Sequence, residues 1–393
     1  MVNEFEQSDI FENLYQPKKE VKSKDGYVML GDLKVVNYIG GKVKILDRYL
    51  APLYISRTKD VEGWVCSRSI DTHRTNSRLL RKAIRLSSTD EFDIAMSTYC
   101  ATITDRYWFK PLDSNLTYSD VKFTSDKLSS IALDGKFLDN DKIEYQSPEF
   151  TNTGSFEKCW RLINGEWVLI KKATPLEKFS ELFVYRLGHY LKLNVARYLL
   201  ADYREDVILS EDFTENGKWI FEPMESLIGD CEDYIENVRV IQSISKSLLR
   251  ANKDELIEEY LNILFMDTIC MNVDRHTQNY GFLRDSTDGK IESMAPNFDN
   301  NLSLVSRGIN EKVIHSPNRM ISEFIEVVKE FDWYTIPKLD EFDLKGIIVE
   351  CNEDCGTDVP IDYLVKFIMN TYNIIIRNIE DESNDDLNND SYY

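Results

Sequence analysis

The sequence predicts an α+β chain of two lobes, a β-rich lobe followed by a mainly helical one, behind an added N-terminal region. Three observations carry that expectation. Residues 156–172 read as two strands joined by Asn164-Gly165, the dipeptide of a tight type I′ hairpin. From about residue 231 the chain reads as one helix after another. A short polar stretch, NVDRHTQNYGFL at 272–283, interrupts that helical half.

At ~150 residues per domain, 393 residues make two or three structural units. A content of 42% hydrophobic and 29% charged residues is that of a chain with a real core. The net charge of −21 repels nucleic-acid phosphates and anionic lipid. It excludes a broadly basic DNA-wrapping protein, though not a small basic pocket, and direct nucleic-acid binding is not expected. Seven scattered cysteines, an odd number, suit a reducing compartment. No run approaches ~20 apolar residues, so no membrane span is expected. The acidic start MVNEFEQSDIFENLYQ does not resemble a secretory signal, and the cytoplasm is the expected address.

Residues 1–30 are polar and mixed and read as a loosely ordered arm, ahead of an N-terminal α+β region over 31–140. Within that region, 33–56 carries β-branched runs broken by Gly40-Gly41, a hairpin signal, with a stop at Pro52. Residues 76–86 have helical spacing, and 98–108 and 119–136 read as short strands and turns. The β-rich lobe is expected over 141–228. FEKCWRLING and EWVLIKK are its first hairpin, and Thr174-Pro175 offers an N-cap and a first-turn proline. The helix that follows has Leu176, Phe179, Phe183, Leu187 and Leu191 as its apolar stripe. Strands are expected near 197–209 and 217–223. The helical lobe spans 229–378, with helices near 254–270, 319–331 and 361–378, the first apolar on most of its surface and so buried. The segment 379–393 is acidic and has too little apolar surface to fold.

A β lobe, then an α lobe, with short polar motifs at their junction, is the organisation of phosphoryl-transfer kinases. Asp274 is followed five positions later by Asn279, and then by Asp299 in APNFDNNLSL. Transfer from ATP needs a carboxylate to orient or deprotonate the acceptor hydroxyl, and oxygen ligands that hold Mg²⁺ against the phosphates. The Asp–x4–Asn spacing is that of the kinase catalytic loop. Taken singly, Asp274 and Asn279 are ordinary loop residues; the pair followed by Asp299 favours chemistry. His276 has no Cys or His near it at zinc spacing and reads as packed in the core. The V-x-I-K spacing of WVLIKK points to Lys171 as the phosphate lysine, with Lys172 turned outward by strand alternation. The alternative is that both lysines only decorate a strand end. Glu181 on the next helix would hold Lys171, with Glu177 as its rival. TNTGSFEK, one strand earlier, is the candidate phosphate loop, in which Thr153, Gly154 and Ser155 would meet phosphate oxygens. The adenine hinge is expected at 220–227, padded by Met224.

These motifs resemble the HipA-like serine/threonine kinase family, in a longer version found in bacterial chains. There a D-R-H-x-x-N loop is followed by a Y/F-D motif, matched here by Asp274 to Asn279 and by Phe298-Asp299. The resemblance covers 145–375 well and reaches over 45–140, where GWVCSRSIDTHR and TDRYWFKP look like the family's N-terminal segment. It implies a bilobal protein-kinase-like fold, ATP and Mg²⁺ as cofactors, Asp274 as the catalytic aspartate, and Asn279 and Asp299 as metal ligands. It also implies Glu181 as the family glutamate, in an E-x5-L pattern that continues to Tyr198, and Ser155 as a regulatory autophosphorylation site. The implied activity is transfer of the ATP γ-phosphoryl to a protein hydroxyl, and the implied partners are a protein substrate and an antitoxin-type or regulatory protein of a toxin–antitoxin pair. Two other functions compete. Inositide kinases share D-R-H-x-x-N, so a small-molecule or lipid-head-group kinase is one. A catalytically silent ATP-binding regulatory module, a pseudokinase, is the other, since the loop has one glycine and Asn300 stands where conventional kinases carry glycine.

Cys351 and Cys355 read as free surface thiols, and the basic face of SRLLRKAIR at 77–85 as solvated. The segment 306–320 would be the activation-loop equivalent, with Arg307, Lys312 and Arg319 toward a substrate or a phosphate.

Overall fold

The computed structural model describes residues 24–136, 146–154, 156–231, 233–308 and 319–389. Three antiparallel sheets organise them. The first holds β1 (Gly26–Leu30), β2 (Leu33–Ile39), β3 (Lys42–Ile45) and β4 (Tyr107–Pro111), in the order β3-β2-β1-β4. β1 falls within the segment expected to be a loose arm. Its continuous apolar run has cover on both sides: Val28 and Leu30 pack with Trp64, Val65 and Phe92, and Met29 packs with Trp108 and Trp160. Gly40 and Gly41, both at positive φ, turn the chain from β2 into β3 as the sequence predicts. Residues 119–136, expected as strands and turns, instead hold parts of two short helices, Tyr118–Val121 and Ser129–Asp134. The first is fixed by a Thr117–Asp120 capping box and the second by burial of Ile131, Ala132 and Leu133.

The second sheet holds β5 (Lys158–Ile163), β6 (Glu166–Lys172), β7 (Tyr198–Leu200) and β8 (Val207–Glu211), in the order β5-β6-β8-β7. Asn164 and Gly165 sit at φ 54° and 88° in the β5–β6 turn. The helix Pro175–Tyr190 opens on the expected cap: the Thr174 side chain accepts from the Glu177 N–H, and the Glu177 carboxylate accepts from the Thr174 N–H. The third sheet, β11-β10-β9, joins β9 (Trp219–Pro223) to β10 (Gly281–Asp285) and β11 (Ile291–Met294).

The helical half is built on Lys253–Cys270, with twelve of its side chains buried. Around it pack Arg319–Val328, Glu341–Cys355 and Ile361–Asn389. The last helix runs through most of the acidic segment expected to stay unfolded. Cys351 and Cys355, expected at the surface, are buried, because one helical turn apart they share the apolar face of Glu341–Cys355.

The N-terminal region is fastened to the rest through buried polar groups. Arg284 on β10 pairs with Glu222 on β9 at 2.6 Å, and the same Glu222 oxygen accepts from the Leu53 N–H at 3.0 Å. At the surface, the exposed Arg57 adds a bond to the Ser226 carbonyl at 2.8 Å. The buried Arg284 and Glu222 satisfy one another, as burial demands.

Candidate active site

Alternation along β6 sends Lys171 inward and Lys172 outward, where Lys172 meets Asp134 at 3.4 Å. The Lys171 ammonium donates to Asp299 Oδ1 at 2.7 Å and to Glu181 Oε1 at 3.2 Å. Glu177 is excluded from this role because its carboxylate is spent on the helix N-terminus. Glu181 lies one turn further along, fully buried, and its second oxygen accepts from the Asn300 N–H at 2.8 Å. Tyr198 closes the ring: its hydroxyl accepts from the Asp299 N–H at 3.0 Å and lies 3.5 Å from the Lys171 nitrogen. Burial works against the Lys171 charge, but Asp299 and Glu181 more than offset it and hold its pKa well above the usual value. Burial likewise opposes the Asp299 carboxylate, and Lys171 and Lys158 outweigh it, holding Asp299 well below the usual range. Asp299 sits at φ 60°, in the left-handed region that Asp tolerates better than most residues.

The loop 272–280 follows the left-handed C-cap of the long helix at Met271. Its anchor is Arg275, a residue of the motif to which the sequence assigns no role of its own. The Arg275 guanidinium donates to both oxygens of the buried Asp267, at 2.8 and 2.9 Å. It also donates to the carbonyls of Asn279 and Phe298, at 2.7 and 2.6 Å, and to the side chains of Asn297 and Asn300. Arg275 therefore ties the loop 272–280 to the Asp299 segment. Asn300, in the place of a glycine, uses its N–H on Glu181 and its Oδ1 on Asn272 and Arg275. Asn279 Nδ2 donates to the Asp274 carbonyl at 3.1 Å.

Asp274, Asn279, Asp299, Lys171, Glu181, Thr153 and Gly154 all line one cleft of about 360 Å³. Ser155 lies outside the described residues. Three residues that the sequence does not single out also line the cleft: Lys158, Phe213 and Phe221. Phe213, Phe221 and Phe298 form a triangle with ring centroids 5.5 to 5.7 Å apart. Lys158 opens β5 four residues after Gly154, and burial lowers its pKa to about 8, with Asp299 pulling it up and Lys171 and Arg74 pushing it down. The expected hinge needs correction. β9 is paired to β10, and Met224 is fully buried in the helical-lobe core, where its N–H donates to the Tyr280 carbonyl. The end of β8 and the two residues after it, Glu211 to Phe213, line the cleft, together with Phe221 of the expected segment. His276, expected in the core, is half-buried and lines the cleft as well.

The candidate phosphate-loop segment is held by the N-terminal region. Arg74, 2% exposed, donates to the Asn152 carbonyl at 3.1 Å and to the Lys158 carbonyl. Beside it the buried Glu149 accepts from the Trp160 N–H at 2.8 Å and from Asn152 Nδ2 at 3.2 Å. Of the candidate activation-loop cations, Lys312 lies outside the described residues, as does the Arg307 side chain. Arg319 opens a helix and pairs with Glu323 one turn on.

No family model matches the sequence, and no curated protein matches it. Among solved structures, the chain is similar to the proinflammatory kinase CtkA of Helicobacter pylori, at 17% identity and a TM-score of 0.46, over 58% of this chain and 94% of that one. It is also similar to HipA of Shewanella oneidensis MR-1, solved with HipB and operator DNA, at 13% identity and a TM-score of 0.50. That match covers 90% of this chain and 96% of the other, so it takes in the N-terminal region as well as both lobes. The chain thus has the HipA-like kinase fold, a mixed α+β architecture of two lobes behind an N-terminal region.

Proposed function

We propose that the protein is a Mg²⁺-dependent kinase that transfers the γ-phosphoryl of ATP to a serine or threonine hydroxyl of a protein. The observation that carries this reading is the contact of Lys171 with both Glu181 and Asp299, in a cleft that also receives Asp274 and Asn279. A lysine held by a helix carboxylate and facing a metal-type aspartate is what phosphate binding requires. Asp274 orients the acceptor hydroxyl and takes its proton. Asn279, whose Nδ2 is committed to the Asp274 carbonyl, offers Oδ1 to the metal, and Asp299 offers its carboxylate. Lys171 and Lys158 meet the phosphates, Glu181 positions Lys171, and Thr153 and Gly154 cover them. The aromatic triangle gives the base an apolar wall.

The donor set fits Mg²⁺. Among the described residues no group of three or more His, Cys, Asp or Glu is gathered for a metal, and Mg²⁺ takes one or two protein oxygens and completes its shell with phosphates and water. When bound, it neutralises charge on the phosphoryl oxygens. Autophosphorylation at Ser155 and an antitoxin-type protein partner are further parts of this reading, the latter supported by HipB in the Shewanella complex. No described helix is long and apolar enough to cross a membrane, and a cytoplasmic address is part of the same proposal.

The lysines give the reading a pH-dependent test. Lys158 binds phosphate only as the ammonium, and its pKa is lowered to about 8. Affinity for ATP, measured by calorimetry with Mg²⁺ present, should therefore fall as pH rises through and beyond 8. Lys158→Met should bind about tenfold more weakly at pH 7 and lose that slope. Lys171→Met should bind more weakly still and keep the slope, moved to higher pH because Lys171 no longer pushes the Lys158 pKa down. Equal affinity in wild type and both variants would remove the cleft as a nucleotide site.

A further inference from the structure

The strand that opens with Lys158 is an edge. β5 closes one side of its sheet, and no strand among the described residues takes up the backbone groups on its far side. Two buried side chains stand in that place. The Arg74 guanidinium donates to the Lys158 carbonyl, and the Glu149 carboxylate accepts from the Trp160 N–H at 2.8 Å. The two side chains face one another, with their nearest nitrogen and oxygen 3.9 Å apart. The same pair also holds Asn152, at the other end of the loop. Arg74 donates to the Asn152 carbonyl at 3.1 Å, and Glu149 accepts from Asn152 Nδ2 at 3.2 Å. One ion pair thus grips both ends of the segment 152–160.

Between the two grips, Thr153, Gly154 and Phe156 are exposed and line the cleft. Their N–H groups make no backbone hydrogen bond among the described residues, so the position of this stretch is set at its ends. Lys158 moves with it. Lys158 stands opposite Lys171 in the β5–β6 register, and a Cβ added at Gly154 would come within 2.6 Å of the Lys158 nitrogen. Stability alone does not account for the pair. Apolar residues of the same volume commonly stabilise a fold as well as a buried ion pair does. Burial pushes the Glu149 carboxyl up to about 7, even with Arg74, the Trp160 N–H and Asn152 beside it. What the polar pair supplies, and an apolar one cannot, is four directed bonds to two separate points of the chain. Its foundation is the N-terminal region, which carries Arg74. That region also binds the neighbouring backbone, through the Ile70 N–H to the Phe150 carbonyl at 2.8 Å and through Thr151 Oγ1 to the Ala101 carbonyl at 2.6 Å.

We propose that Arg74 and Glu149 are positioning residues of the nucleotide site, a two-point clamp that sets the loop 152–160 and Lys158 for the phosphates of ATP, so that the N-terminal region contributes to nucleotide affinity. The inference rests on the kinase reading and deepens it. Neither residue lines the cleft, so the pair acts through the loop and not by touching the nucleotide.

The test is calorimetric titration of ATP with Mg²⁺ into the full chain, beside hydrogen exchange of the unliganded chain read by mass spectrometry. Glu149→Gln leaves one acceptor oxygen where two donors need one, and it should bind ATP about tenfold more weakly. Its amides at 152–160 should exchange faster than in wild type, while those of β6 and β8 keep their rates; a merely stabilising pair would change exchange throughout the sheet. Arg74→Lys retains the charge opposite Glu149 but can serve only one of the two carbonyls. It should weaken binding about threefold with the same local pattern of exchange, and it keeps the test valid if Glu149→Gln melts early. Wild-type affinity in either folded variant, or faster exchange spread evenly through the sheet, would overturn the clamp and leave the kinase reading standing, because wild type would still bind ATP. No binding of ATP by wild type would overturn the kinase reading and the clamp with it.

Discussion

Asp299→Asn should lower Mg²⁺-dependent phosphoryl transfer by about a thousandfold while leaving the protein folded. The substitution keeps the size of the side chain and an oxygen that accepts from Lys171, and it removes the negative charge that would hold the metal. Lys171 retains Glu181 at 3.2 Å, so its buried ammonium keeps one carboxylate. The Asp299 pKa is depressed in the folded chain, so its charge stabilises the fold above the unfolded-state pKa and loses that effect as pH falls through the folded value. Near neutral pH the variant should therefore be slightly less stable than wild type, and the difference should shrink in strong acid. Turnover and urea unfolding, measured on the same preparation, check both halves. A fully active Asp299→Asn protein would remove the metal assignment.

Arg275→Met should cost about 3–5 kcal/mol of stability, the range for breaking a buried ion pair by removing one partner. The guanidinium holds both oxygens of Asp267, which is 1% exposed, and two carbonyls on separate segments. Methionine fills much of the volume but removes the Arg275 donor from both carbonyls and leaves the carboxylate its neutral Asn272 Nδ2 donor at 3.0 Å in place of the ion pair. Urea unfolding should show the loss, and the double variant Asp267→Asn/Arg275→Met should be less destabilised than the sum of the two single changes. A loss under about 1 kcal/mol would mean that Arg275 is not the tie between the two segments.

What the sequence makes legible here is local. Asn164-Gly165 fixes a turn because both positions need positive φ. Thr174, Pro175 and Glu177 fix a helix start because a capping box spans only four residues. Period-two alternation separates Lys171 from Lys172, and the same capping box that starts the helix takes Glu177 and leaves Glu181 for the lysine. The motif spacing brings Asp274, Asn279 and Asp299 to the same cleft.

What escapes is set by partners far away in the chain. Met224 looks like a hinge residue until β9 pairs with β10, beyond the long helix, and turns it into the core. β1 looks like an arm because its continuous apolar run shows its purpose only once Trp64, Phe92, Trp108 and Trp160 cover its two faces. Arg74 carries no local signal, and its bonds to the Asn152 and Lys158 carbonyls depend on the docking of the N-terminal region against residues 149–158. Lys158 had one usable signal, a lysine four residues after Gly154 at the start of the strand that precedes the Lys171 strand. Phe213 had none, since its value to the cleft comes from two other rings in separate segments.

The most direct measurement is intact-mass spectrometry of the purified protein with an added serine- and threonine-rich acceptor protein, after incubation with Mg²⁺ and ATP, run beside Asp274→Ala. The expected result is a phosphate-sized mass gain on the chain or the acceptor with wild type, and none with Asp274→Ala. An equal gain with both proteins would contradict the role of Asp274, and no gain with either, while ATP still binds, would contradict phosphoryl transfer to protein.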